Sequence, residues 1–242
     1  MKKIVLVIGA SSSIGIPLID KLLCQDFHVV GQYRTLSPKL EAMRQQFPRR
    51  LELFNLDFNE ENSDKKISEL IQLCHSDLFA IVHLPSVMPT IKPLRKSIVN
   101  DFFEHFDLQI RSLHSIICGL HKVLTKAKDF RLIGVNTEYS AMQMPPKGLA
   151  PYIIAKAAAS SYLDCVDAEY REKGVKVNQI LPGMFRSPLL KDIPEYVIEG
   201  NVNNGSNKNI ELCPDKDIAS MIAYLLSPAG VNVRGQKIVL QQ

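Results

Sequence analysis

The sequence predicts an α/β fold: a doubly wound parallel sheet of about seven strands with helices on both faces, in a single domain spanning 1–242. Three observations predict it. Short apolar runs alternate with amphipathic stretches along the whole chain. The runs are rich in Val, Ile and Leu without strict alternation, as in strands buried on both faces. The chain has 242 residues and is 46% apolar, which suits one large domain with a sizeable core. Repeated strand–helix–strand order implies right-handed crossovers and therefore a parallel sheet.

The elements follow in order. The first strand is expected at 3–9. Its apolar core, Ile4 to Ile8, is too short for a signal peptide and ends in a Gly/Ser turn. Further strands are expected at 28–34, 51–56, 78–84, 130–136, 175–181 and 237–240. Helices are expected at 14–24, 38–47, 62–74, 100–126, 151–173 and 214–226. Pro151 and Pro214 suit first helical turns, where a missing N–H costs nothing. Gly174 suits a C-terminal cap. The polar stretch 199–209 reads as a loop, inside a segment, about 184–212, expected to cover a substrate.

A net charge of +4 and the lack of a dense Lys/Arg block argue against nucleic acid as partner. No run approaches the length of a membrane span. The five cysteines, Cys24, Cys74, Cys118, Cys165 and Cys213, are odd in number and widely spaced. They read as reduced core thiols of a cytoplasmic protein, with no disulfide frame and no metal site.

Tyr152 and Lys156 are four residues apart, hence on one face of a helix. That spacing also suits a surface Tyr packed on a Lys stem. If the ammonium lies near the phenol, it favours the phenolate and lowers the Tyr pKa. Such a Tyr exchanges a proton with a carbonyl or alcohol near neutral pH. Upstream, the first strand runs into Gly9-Ala10-Ser11-Ser12-Ser13-Ile14-Gly15 and then a helix. A Rossmann-type dinucleotide fold places its pyrophosphate there, on free N–H groups at a helix N-terminus. The second strand ends in Arg34-Thr35 without an acid to bind a ribose hydroxyl, and the next acid is Glu41. Arg34 and Thr35 suit a 2′-phosphate, which favours NADP over NAD.

Together these residues resemble the short-chain dehydrogenase/reductase family, in its compact single-domain branch, over essentially the whole chain. Gly9 to Gly15 resembles the family's TGxxxGxG turn, and Tyr152/Lys156 its YxxxK pair. Asn178-Gln179-Ile180-Leu181-Pro182-Gly183 is similar to its N-x-x-x-P-G segment. The resemblance implies that Asp57 holds the adenine, that Ser187 contacts the nicotinamide amide with Pro182 and Gly183 nearby, and that Lys156 holds the ribose hydroxyls. It implies an oxidoreductase that reduces a small-molecule carbonyl, or oxidises an alcohol, through a Tyr/Lys proton relay. It also implies a homodimer or homotetramer.

Departures from the pattern are expected to matter. Ser13 replaces a glycine, and its Cβ is expected to narrow the turn. His83-Leu84-Pro85-Ser86 replaces Asn-Asn-Ala-Gly. Gln109 takes the place of an Asn that holds a water relay. The hydroxyl in the catalytic Ser role is open between Thr137, Ser140 and the phenol of Tyr139, with Thr137 first. The substrate pocket is expected to be apolar, including Met142, Met144, Met184, Phe185, Leu189 and Leu190. Two alternatives stand beside this function. One is a catalytically impaired dinucleotide-binding or regulatory protein. The other is a nucleotide-sugar epimerase or dehydratase, suggested by His83-Leu84.

Overall fold

A computed structural model describes residues 3–74, 77–89, 91–183 and 213–240. Ser187 and the 184–212 segment, including Met184, Phe185, Leu189 and Leu190, lie outside the described residues. The strands are β1 (Ile4–Ile8), β2 (His28–Tyr33), β3 (Leu51–Asn55), β4 (Leu78–His83), β5 (Phe130–Val135), β6 (Val175–Pro182) and β7 (Lys237–Leu240). They form one sheet in the order β3-β2-β1-β4-β5-β6-β7, every pair parallel. The helices are α1 (Gly15–Cys24), α2 (Pro38–Gln46), α3 (Ser63–Cys74), α4 (Val99–Gly119), α5 (His121–Leu124), α6 (Ala150–Tyr170) and α7 (Asp215–Leu226).

The alternation of side chains along a strand explains the two faces. Val5 and Val7 of β1 join Leu18, Leu22, Ile218 and Ile222 of α1 and α7 in one core. Ile4, Leu6 and Ile8 point the other way, into a core with Ile67 of α3, Leu113 of α4 and Leu163 of α6. All five β1 residues are buried, which is why this strand carries no polar position. The chain winds from β1 to β2 and β3 on one side, then crosses to β4 on the other. The reversal opens a crevice at the carboxyl ends of β1 and β4, where such sheets bind ligands.

Local rules account for most boundaries. Helix α1 ends with Asp26 at φ 61°, the Phe27 N–H bonded to the Leu22 carbonyl and the Asp26 N–H to Leu23. That is a Schellman closure with Asp in place of glycine, held by the Arg50–Asp26 ion pair. Gly174 caps the turn after α6 at φ 86°. The helix expected over 100–126 is divided into α4 and α5 at Leu120. Gly119 ends α4 where the tip of the Ile71 side chain of α3 fills the space a Cβ would take, so a larger residue would have to displace it. Pro214 is the cap of α7 rather than part of its first turn, since its ψ of 135° is extended. The cysteines depart from a purely core role. All five are free thiols, but Cys24, Cys118 and Cys165 are exposed on outward helix faces, and only Cys74 and Cys213 are buried. No helix among the described residues is long and apolar enough to cross a membrane.

Candidate active site

The crevice holds a cavity of about 620 Å³, running from the β1–α1 turn to α6. Gly9 opens the turn at φ 85°, where a side chain would be strained and its Cβ would lie 3.2 Å from Leu84 Cβ. A Cβ at Gly15 would meet the carbonyl oxygens of Gly9 and Ala10 at 2.6 Å. Backbone cannot yield there, so both positions require glycine. Ser12 Oγ accepts from the Gly15 N–H at 2.9 Å and closes the turn. Gly9, Ser11, Ser12, Ser13 and Ile14 line the cavity. Ser13 does so without left-handed backbone, since Asp26 alone among the described non-glycine residues has positive φ. The turn therefore accepts a Cβ at Ser13, unlike at Gly9 and Gly15.

Gln32 completes this end and was not expected from sequence. It is buried on β2. Its Oε1 accepts from the Gly9 N–H at 2.9 Å and its Nε2 donates to the Leu56 carbonyl at 2.6 Å. One side chain thus ties the glycine turn to the end of β3. Its signal is a lone amide inside the apolar run Val29-Val30-Gly31-Gln32. Asp57, the next residue after Leu56, lines the cavity, and its Oδ1 accepts from the Asn59 N–H at 3.0 Å. Arg34 lines the cavity as well; Thr35 is exposed and is not part of its wall.

At the other end, Tyr152 and Lys156 project from one face of α6 into the cavity wall. Lys156 is buried, and its Nζ donates to the carbonyls of Val135 at 2.9 Å and Pro85 at 3.2 Å. Burial pushes its pKa down to about 7. Tyr152 is half-buried, and its phenol shares the cavity wall with the Thr137 hydroxyl, which acts on its proton affinity. Loss of water pushes its pKa up to about 12, with Thr137 opposing. The expected lowering of the Tyr152 pKa by Lys156 is therefore corrected. The ammonium is spent on two carbonyls and is itself disfavoured by burial, so desolvation of the phenol prevails.

The structure discriminates among the three hydroxyls. Thr137 is buried in the cavity wall against Tyr152. Ser140 Oγ donates to the Thr137 carbonyl at 2.7 Å within a 3₁₀ turn and does not line the cavity. Tyr139 lines it, with its phenol pushed to higher pKa by burial. Gln109 differs from the expected relay. It is buried outside the cavity wall, and its Nε2 donates to the Pro85 carbonyl at 2.6 Å. The extra methylene lets the amide reach this backbone oxygen directly, and Lys156 shares that oxygen. His83 is buried, bonded through Nε2 to Ser112 Oγ at 2.7 Å, with its pKa pushed down to about 3 by burial and by Lys156. It too lies outside the cavity wall. Gly183 reaches the wall, its N–H donating to Leu240 at 3.0 Å, while Pro182 ends β6 beside β7. Asn178 pins the approach to β7 through Val233 and Gln236. Sequence reading also missed His105 of α4, whose buried ring packs edge-on against Tyr152 at 6.2 Å and 79°.

Comparison with known proteins bears on this arrangement. Residues 9–242 match the family profile described as "Enoyl-(Acyl carrier protein) reductase". Oxidoreductase UcpA of Salmonella typhimurium is 28% identical over 89 residues, 37% of this chain and 34% of UcpA. Hydroxynaphthalene reductase arp2 of Aspergillus fumigatus is 25% identical over 186 residues, 72% of this chain and 66% of arp2. The chain thus spans about a third of the length of the first of these relatives and just under two thirds of the second. Among solved structures, ElxO with NADP bound superposes with a TM-score of 0.82 at 18% identity, covering 99% of this chain and 97% of that one. A short-chain dehydrogenase/reductase from Serratia marcescens gives 0.83 at 17% identity, covering 98% and 96%. At these identities the solved structures speak for the fold.

Proposed function

The chain belongs to the short-chain dehydrogenase/reductase family of NAD(P)-dependent oxidoreductases, and we propose that within it this protein reduces a small-molecule carbonyl with NADPH, or runs the reverse oxidation of an alcohol. The observation that carries the reading is the one cavity shared by the glycine turn, Asp57, Thr137, Tyr152 and Lys156. The turn suits a dinucleotide on the structure's own terms. Gly9 and Gly15 exclude side chains, and α1 begins at the cavity, so the positive end of its dipole favours an anion there. Gly9 to Gly15 would hold the pyrophosphate, Asp57 the adenine, Lys156 the ribose, and Gly183 with Pro182 and Ser187 the nicotinamide side. Arg34, exposed at the cavity and without a neighbouring acid on β2, would hold a 2′-phosphate; arp2 is named a reductase and ElxO is described with NADP. When bound, the cofactor supplies the hydride.

The residues of the chain supply position and a proton. Thr137 orients the substrate oxygen by a hydrogen bond. Tyr152 gives that oxygen its proton. At neutral pH the phenol is in its protonated form, as the reductive direction requires, while its burial opposes loss of that proton. Lys156 is anchored on the carbonyls of Val135 and Pro85 in the same cavity wall, one helical turn from Tyr152. Gln109 acts through the shared Pro85 carbonyl as a positioning residue. Ser140 steadies the turn that carries Thr137.

The direct test is thermal unfolding with NADPH and with NADH, followed by NADPH consumption in a carbonyl panel. A ligand at one hundred times its Kd adds about 2.7 kcal/mol. A larger shift with NADPH, then turnover, supports the reading. No shift with either nucleotide would end it. A second reading, a dinucleotide-binding protein without turnover, draws on Gln109 standing where the family has Asn, with its Nε2 bound to the Pro85 carbonyl. Binding without consumption of NADPH across the panel would favour it. Of the His83-Leu84 pair behind the epimerase alternative, Leu84 lines the cavity while His83 is bonded to Ser112 outside its wall and offers no group to a substrate there. A homo-oligomer and a cytoplasmic location are proposed with the enzyme. Exposed Phe103 and Phe106 on α4 support the oligomer, and sedimentation at equilibrium checks it.

A further inference from the structure

Helix α4 turns a row of three polar residues inward, His105, Gln109 and Ser112, all buried. Spacings of four and three place them on one face. Each meets a different part of the site. Ser112 bonds His83, Gln109 bonds the Pro85 carbonyl that Lys156 shares, and His105 packs its ring edge-on against Tyr152. Only the last of these contacts reaches the proton donor itself.

We propose that His105 is a positioning residue for the carbonyl reduction, holding the Tyr152 ring in line with Thr137 by its edge contact. The inference rests on the carbonyl-reductase reading. A phenylalanine would provide the edge alone, whereas an imidazole adds a charge on protonation. The groups that face His105 come from two helices. From α4, Glu104, which lines the cavity, and Asp101 favour its charged form. Asp101 is itself held by Lys92 at 2.7 Å. From α6, Lys156 opposes the charge, and Tyr152 is the ring it touches. Burial is the largest influence, and the pKa of His105 lies below its ordinary 6.5. On acidification Lys156 gains its charge first and then opposes that of His105, so the two titrations are coupled.

Two measurements test this, one without turnover. Imidazole resonances are followed by NMR against pH, with the His105 signal assigned by its loss in His105→Gln. The expected midpoint lies below 6.5 in the wild type and rises by about half a unit or more in Lys156→Met, or in Lys156→Gln should that variant fold better. A midpoint unmoved by both substitutions overturns the coupling. With a carbonyl that the wild type reduces, His105→Ala is expected to lower kcat about tenfold while KM for NADPH stays within about twofold. His105→Phe should restore most of that kcat near pH 8 while displacing the acid limb of the profile by about half a unit or more. An unchanged kcat in His105→Ala overturns the positioning role, and a pH profile identical in His105→Phe overturns the coupling. Absence of wild-type turnover speaks against the carbonyl reading instead, and the NMR titration still decides the coupling.

Discussion

The two ends of the cleft are built by opposite means. At the nucleotide end, seven consecutive residues make the turn and close it on themselves through Ser12, with long-range ties from the Gln32 side chain to Gly9 and from its carbonyl to Ala10. At the catalytic end, four separate parts of the chain converge. Thr137 follows β5, Tyr152 and Lys156 come from α6, Pro85 follows β4, and His105 and Gln109 come from α4. The first end is ruled by backbone sterics. The second is ruled by burial, which moves Lys156 to about 7 and Tyr152 to about 12. The comparison teaches that damage at the first end should appear as lost binding and stability, and damage at the second as lost turnover.

The strongest way to break that division is Tyr152→Phe. Removing the proton donor should lower kcat by about 10²–10⁴ and leave the NADPH-induced thermal shift unchanged. Near-normal turnover in this variant would remove Tyr152 from the chemistry. Thr137→Ala should cost about 10²-fold in kcat, while Ser140→Ala should stay within about threefold because its hydroxyl serves only a backbone carbonyl. Equal losses would mean that the Thr137–Tyr152 pairing does not select the hydroxyl.

At the nucleotide end, Gly15→Ala forces a Cβ to within 2.6 Å of two carbonyl oxygens. A loss of about 1–3 kcal/mol in unfolding free energy, with weakened NADPH binding, is expected in denaturant and titration experiments. Gln32→Leu leaves the Gly9 N–H and the Leu56 carbonyl without their partner, again about 1–3 kcal/mol. Should Gln32→Leu lower kcat while sparing affinity, the separation between the two ends would fail.

The smallest effect sharpens the contrast through pH. Lys156 has a folded pKa of about 7 against an ordinary 10.5. Between these values the unfolded chain holds the extra proton, so stability should rise with pH across the window and carry the full cost of the buried charge below it. Lys156→Met should flatten that part of the profile in urea melts at successive pH values. An identical slope in the variant would mean that the buried amine is charged without penalty.

The same contrast explains what was legible in the sequence. Among the described residues all seven strands and the longer helices were visible, because periodicity and flanking glycines are local signals. The helix expected over 100–126 was joined across Leu120 because nothing local marks the break; Gly119 is tight only because Ile71 comes from α3. The exposed Cys24, Cys118 and Cys165 were read as core for a similar reason, since helix faces are assigned by what packs on them. Gln32 and His105 escaped notice because neither belongs to a motif, and their roles exist only where β2 meets the glycine turn and α4 meets α6.

By itself, then, the sequence determined the doubly wound sheet, the glycine turn and the Tyr152/Lys156 pair, since strand burial, left-handed φ and i,i+4 spacing are written in adjacent residues. The tertiary structure alone decided which hydroxyl meets Tyr152, that Gln109 is bound to Pro85, and in which direction the two catalytic pKa values move. Those outcomes depend on desolvation and on partners distant in the chain, and dielectric surroundings are a property of the packed molecule that no local pattern encodes.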